Sequence, residues 1–399
     1  MKYDFETSIS RYGMGSGKWD EMREEVPSLP DDIVPLSVAD MEFRNAPEII
    51  DGLKEYLDTS ILGYTHATNA YYEAVIGWME RRHGFSPERD WFVEYGGVVP
   101  ALRHMIGVFT KPGDSVMITT PVYYPFRGSI EWNRCHVVEN ELTEINGKYE
   151  IDFKDFEEKA SRDDVKLYIL CSPHNPVGRV WTEEEIRRIA EICLKHHVYI
   201  LSDEIHFDLI MQGYRHFSMM NLEEKYRSNC AVCTSPGKTF NLAGLQASNI
   251  FICDAKRREA VLKARGYFSL NALSYKATEY AYNRAEGWML EMLHYVNENK
   301  KFVTDYLKNH LPFIQVSELE GTYLLWLDCR ALGLSTEELE TLMRKKAYLF
   351  FDEGYIFGKG GEGYERMNLA CPRHVLAKAL ERLEQTVRLE CSLNGSYSG

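Results

Sequence analysis

Between about residue 90 and residue 255, short apolar runs alternate with stretches in which apolar residues recur every three or four positions. The runs are "SVMITTP" (115–121), "KLYILCSP" (166–173), "HVYILSD" (197–203), "CAVCTSP" (230–236) and "ASNIFIC" (247–253). Within each run, neighbouring residues are apolar rather than every second one. A strand written this way has both faces buried, as in a sheet covered by helices on each side. Between the second and third runs stands Thr182-Glu183-Glu184-Glu185, followed by Ile186, Ile189, Ala190 and Cys193. Thr182 predicts an N-cap, Glu185 closes a capping box, and the apolar spacing is that of one helix face. The pattern therefore predicts an α/β fold built on a mainly parallel sheet.

From about residue 285 the pattern changes. "EGWMLEMLHYVNENKKFVTDYLKNHL" reads as one long helix, and strands are expected at Gly321–Asp328, Tyr348–Gly354 and Glu365–Ala370. These elements suggest a smaller α+β domain. The expected organisation is an N-terminal segment (1–48) packing with the small domain, a large domain (49–285) and a small C-terminal domain (286–399). A chain of 399 residues is long for one core and suits two. No solenoid repeat and no low-complexity segment interrupts it.

Composition narrows the partners. Lys and Arg number 46 against 60 Asp and Glu, a formal charge of -14. That excess disfavours nucleic acid and anionic membrane and leaves small molecules or other protein surfaces. "MKYDFETSISRYGMG" carries acids early and no apolar core, so it reads as neither a signal nor a transit peptide. Nine cysteines, an odd number scattered through apolar segments, fit a reduced cytoplasmic protein better than a disulfide framework. Cys230 and Cys233 form a lone C-x-x-C, which reads as buried strand cysteines, and no metal site is expected.

In sheets of this kind ligands gather outside the carboxyl ends of the strands, so the residues following each run carry the interest. They are Tyr123 and Tyr124 after the first run, Asn175 after the second, Asp203 at the end of the third and Ser235-Pro236-Gly237-Lys238 after the fourth. Gly237-Lys238-Thr239 imitates the end of a P-loop, but that loop requires a glycine at 232, where Val stands. Pro236 also lacks the N–H that a phosphate cradle uses. Lys238 reads instead as an amine able to condense with the aldehyde of pyridoxal phosphate. Asp203 then suits the protonated ring nitrogen, Asn175 the phenolic oxygen and Tyr123 a stacking role. For the phosphate, Gly96-Gly97-Val98 opens a helix with Pro100 in its first turn, and Ser235 adds a hydroxyl. Gly358, Gly360, Gly361 and Gly363 invite a second phosphate reading, against which a flexible hairpin between strands is set. Arg366, past that hairpin, has the fork to bind a substrate carboxylate.

Together "SPHNPVGRVW" (172–181), "SDEIHFDLIM" (202–211), "SPGKTFNLAGLQ" (235–246) and "ERMNLACP" (365–372) resemble the fold-type-I pyridoxal-phosphate enzymes, the aspartate-aminotransferase superfamily. "PLSVADMEF" (35–43), "LGYT" (62–65), "TPVYYPF" (120–126) and "FFDEGYIFG" (350–358) are similar to the C–S lyases of the cystalysin and MalY/PatB type. The resemblance covers nearly the whole chain. It implies that Lys238 holds the cofactor covalently, with Asp203, Asn175, Tyr123, Gly97, Val98 and Ser235 around it and Arg366 on the substrate carboxylate. It implies a homodimer, Tyr64 reaching the partner's phosphate. His206 stands where aminotransferases carry a tyrosine to the cofactor oxygen, and Gln246 where they often carry an arginine to the phosphate. Both departures point to β-elimination from cystathionine, cysteine or a related sulfur amino acid. Lys238 would be the base and Tyr124 the proton donor to sulfur. An aminotransferase using the same residues is the alternative, and an idle binding protein on this fold a third reading.

Overall fold

A computed structural model describes residues 2–393, with side chains through residue 390. Its large sheet has eight strands in the order β1-β8-β7-β6-β5-β2-β3-β4. They are β1 (Phe92–Tyr95), β2 (Ser115–Thr120), β3 (His136–Ile145), β4 (Lys148–Ile151), β5 (Val165–Cys171), β6 (Tyr199–Asp203), β7 (Cys230–Thr234) and β8 (Ser248–Phe251). The five apolar runs are thus β2, β5, β6, β7 and β8. Strands β3, β2, β5, β6 and β7 are mutually parallel. β8 runs antiparallel to β7 and to β1. β4 folds back on β3 through Asn146-Gly147, both with positive φ, the conformation that tight hairpins use.

Both faces of this sheet are buried, and the alternation along each strand shows how. Leu167, Ile169 and Cys171 of β5 enter one apolar cluster, while Tyr168 and Leu170 enter the other. The same parity separates Cys230 from Cys233, which lie three apart on β7 and therefore on opposite faces. They cannot converge on one ion, and the eight described cysteines are all free. Among the described residues no group of side chains could hold a metal ion. No described helix is long and apolar enough to cross a membrane. The helix Glu183–Lys195 starts as expected, with Thr182 and Glu185 completing a capping box and Ile186, Ile189, Ala190 and Cys193 buried.

The second sheet is antiparallel, in the order β11-β12-β10-β9. Its strands are β9 (Gln315–Val316), β10 (Leu324–Asp328), β11 (Asp352–Glu353) and β12 (Tyr364–Asn368), preceded by the long helix Glu286–His310. The strand expected over 348–354 is corrected to Asp352–Glu353. The apolar residues before it serve another purpose: Leu36 N–H donates to the Phe350 carbonyl (2.9 Å), and Phe350 packs with Trp19, Met22, Leu29 and Ile33. The glycine-rich loop after β11 does join two strands. A Cβ on Gly354 would strike the Gly361 carbonyl, so the chain can close there only with glycine.

Candidate active site

Four adjacent parallel strands deliver four polar residues to one place. Tyr123 follows β2, Asn175 follows β5, Asp203 ends β6 and Lys238 follows β7, and all four line a cavity of about 300 Å³. Gly97, Val98, Ser235, His206, Cys171, Ala39 and Gln246 line it too. Tyr123 N–H donates to the Asn175 carbonyl (3.1 Å), which ties the loop after β2 to the loop after β5.

At one end of the cavity, the helix Val98–Phe109 begins at Gly97, whose φ of 140° favours glycine and leaves no side chain to cap the first N–H groups. These donors and the positive end of the helix suit an anion. Ser235 lies nearby as the N-cap of the short helix that carries Lys238. Its Oγ accepts from Gly237 N–H (2.9 Å) and donates to the Ala247 carbonyl (2.6 Å). Gln246 offers an uncharged amide, and among the described lining residues Lys238 is the only lysine or arginine.

Burial of the other polar groups shifts their proton affinities. Burial pushes Asp203 up to about 7, although its Oδ1 accepts from Ile205 N–H (3.1 Å). Burial pulls Lys238 down to about 8, opposed chiefly by the Asp40 charge. Burial, with the positive charges of Lys238 and Arg366, holds His206 well below the usual histidine range, so its ring is neutral. Its buried Nδ1 has no hydrogen-bond partner among the described residues. Buried carboxylate, neutral imidazole and uncapped helix start all call for a bound group with complementary cationic, polar and anionic parts. Pyridoxal phosphate has those parts, and these residues fit it.

Arg366 lies beside the cavity on β12. Its guanidinium donates to Asn175 Oδ1 (2.8 Å) and to Asp352 Oδ2, while its buried Nε has no partner among the described residues. The bond to Oδ1 leaves the Asn175 Nδ2 donors for another acceptor. Tyr124 is partly exposed at the start of the helix Pro125–Trp132, its ring 5.9 Å from Phe357, and burial raises its phenol above the ordinary value. Tyr64 is fully exposed and does not line the cavity of its own chain. The sequence reading passed over Ala39, whose carbonyl accepts from Lys238 Nζ (2.6 Å), and Asp352, which holds Arg366. Asp352 could have been suspected as an acid in a run read as a strand. A backbone carbonyl leaves no such signal.

Fold and site together define a class. A family model for class I and II aminotransferases matches residues 31–383, and the chain belongs to that family. Within it, the chain is 40% identical over 384 residues to the cystathionine beta-lyase PatB of Bacillus subtilis, covering 96% of this chain and 99% of PatB. Cystalysin from Treponema denticola, whose crystal structure contains pyridoxal 5'-phosphate, matches with a TM-score of 0.96 and 44% identity over 98% of this chain and 100% of its own. A pyridoxal-phosphate-bound C–S lyase from Staphylococcus hominis matches with a TM-score of 0.90 and 30% identity, covering 97% of this chain and 98% of that one.

Proposed function

We propose that this protein is a pyridoxal-phosphate-dependent carbon–sulfur β-lyase. It eliminates the sulfur group of cystathionine, cysteine or a related amino acid to give pyruvate, ammonia and a thiol. The observation that carries this reading is the partly buried Lys238, brought down to about 8, in one cavity with Asp203, Asn175 and an uncapped helix start. The cofactor, when bound, supplies an electron sink for the pair left at Cα once its proton is removed.

The residues do the rest. Lys238 would hold the cofactor and, as a free amine, take the Cα proton; a value of about 8 leaves part of it neutral near neutral pH. Asp203 would pair with a cationic ring nitrogen, Asn175 Nδ2 and His206 would supply polar contacts, and Tyr123 would offer a stacking face. Gly97, Val98 and Ser235 would hold the phosphate. Arg366 binds the substrate carboxylate and so fixes which Cα bond faces Lys238. Tyr124, whose raised phenol keeps its proton, protonates the departing sulfur. The enamine that leaves hydrolyses to pyruvate and ammonia.

The working unit in this reading is a cytoplasmic homodimer. Ile61, Leu62 and Tyr64 form an exposed apolar stretch, and Tyr64 reaches the partner's site. The test is incubation of the holoenzyme with cystathionine and no added 2-oxo acid. Stoichiometric pyruvate and thiol are expected. Turnover only in the presence of a 2-oxo acid would make the protein an aminotransferase instead.

A further inference from the structure

Residues 38–42 form a strap across the Lys238 side of the cavity, and its bonding is unusually dense. The Ala39 carbonyl accepts from Lys238 Nζ (2.6 Å) and from the Tyr323 hydroxyl (2.9 Å). Asn368 Nδ2 donates to the carbonyls of Val38 (2.8 Å) and Asp40 (2.7 Å), and Val38 N–H donates to Asp352 Oδ2 (3.0 Å). Met41 exchanges backbone bonds with the Asn241 amide, 2.9 Å and 3.0 Å. Val38, a β-branched residue, is held at a φ of 49°, a conformation that persists only where its surroundings impose it.

A compact charge cluster lies on the strap. Lys18 Nζ sits 2.7 Å from both Asp40 Oδ1 and Glu42 Oε1, with its side chain only 1% exposed. Arg11 reaches Asp40 Oδ2 (2.9 Å) and Glu42 Oε1 (3.1 Å), and Trp19 Nε1 donates to Glu42 Oε2 (3.1 Å). Packing alone does not call for such a cluster, because buried ion pairs seldom stabilise more than apolar residues of the same shape. Its place on the strap whose Ala39 carbonyl, one residue before Asp40, holds Lys238 is a better reason.

We propose that Asp40 is a positioning residue for Lys238: its carboxylate, aimed and partly neutralised by Arg11 and Lys18, sets how firmly the lysine nitrogen holds a proton. The inference rests on the reading that Lys238 carries the cofactor and serves as base. The groups facing Lys238 are Asp203 from β6, His206 just after it, Arg366 from β12, Tyr323 through the shared carbonyl, and Asp40 with Lys18 from the N-terminal segment. Of their charges Asp40 acts most strongly, and it raises the proton affinity while Arg366 and Lys18 lower it. The base must be neutral to take the Cα proton, so this balance places the working pH. The strap also joins the base to the carboxylate site, because Asp352 accepts from both Val38 and Arg366.

The test compares the parent holoenzyme with Asp40→Asn and Arg11→Gln. In each, the pH at which the bound cofactor's visible band changes is titrated, alongside the pH dependence of kcat. Asp40→Asn should move the midpoint down by about half a unit or more, since a carboxylate near a protonated nitrogen favours its charged form. Arg11→Gln should move it up, because an opposing cation is gone. A brace that only held the fold would not shift the two variants in opposite directions. Unmoved midpoints, or shifts of the same sign, overturn the inference while leaving the cofactor reading intact. Should Asp40→Asn fail to fold, the Arg11 variant decides alone: an unmoved or falling midpoint refutes. A parent without a visible band would sink the cofactor reading, and this inference with it.

Discussion

Asp203→Asn should have effects of opposite sign on the empty and the loaded protein. Without a cofactor, the Asp203 carboxylate is buried with a single backbone donor, Ile205 N–H, and burial lifts it from 3.8 to about 7. An acid raised in the folded state is tolerated when protonated and costly when ionised. The penalty is therefore absent below 3.8, grows through the interval and is complete above about 7. The gap of about three units, at 1.36 kcal/mol each, sets an upper limit of about 4 kcal/mol. Asparagine keeps the shape and the acceptor for Ile205 but carries no charge. The cofactor-free variant should thus unfold at a higher temperature than the cofactor-free parent at pH 8, with the difference shrinking towards pH 4. With cofactor the order reverses, because a cationic ring nitrogen compensates the carboxylate and not the amide. The variant should then gain less stability on loading and turn over far more slowly. Thermal unfolding of four samples, parent and variant with and without pyridoxal phosphate, at two pH values measures the whole cycle. A cofactor-free variant less stable than its parent at pH 8 would refute the reasoning, since Asp203 would then stabilise the empty fold.

Two further substitutions probe the substrate end and the scaffold. Arg366→Lys keeps the charge but loses the fork that bonds Asn175 and Asp352. KM for cystathionine should rise about fivefold or more, for a loss of about 1–3 kcal/mol, with kcat less affected; an unchanged KM would remove Arg366 from the carboxylate site. Glu320→Ala removes the acceptor for Arg179 Nε (2.8 Å) and Val180 N–H (2.8 Å), where both charged side chains are no more than 4% exposed. Leaving Arg179 buried without this partner should lower stability by about 3–5 kcal/mol in a denaturant titration, and a loss under about 1 kcal/mol would show that Glu185 alone suffices.

How far such a site can be read from sequence depends on which atoms do the work. Lys238, Asp203, Asn175 and Tyr123 were legible because a parallel sheet confines ligand contacts to the carboxyl ends of its strands. Each of these residues ends or follows an apolar run, so the positions after the runs bring together the polar side chains that define the cavity. The reversal of β8 was not legible: a strand buried on both faces reads the same in either direction, and only its partners tell them apart. The run at 348–351 misled for a related reason, since apolar residues report burial without naming the surface they are buried against. Here that surface is Trp19, Met22, Leu29 and Ile33, more than three hundred residues earlier. The strap is the extreme case. Ala39 acts through its carbonyl, which every residue has, and Asp40 meets Lys18 and Arg11 only because the N-terminal segment folds back over the cavity. The C-x-x-C pair shows the converse, where spacing suggests chemistry that strand parity forbids, with Cys230 and Cys233 facing opposite layers. Spacing therefore carries chemical meaning only once the backbone assigns each residue a face, and a contact made by the backbone itself has to be found in the fold.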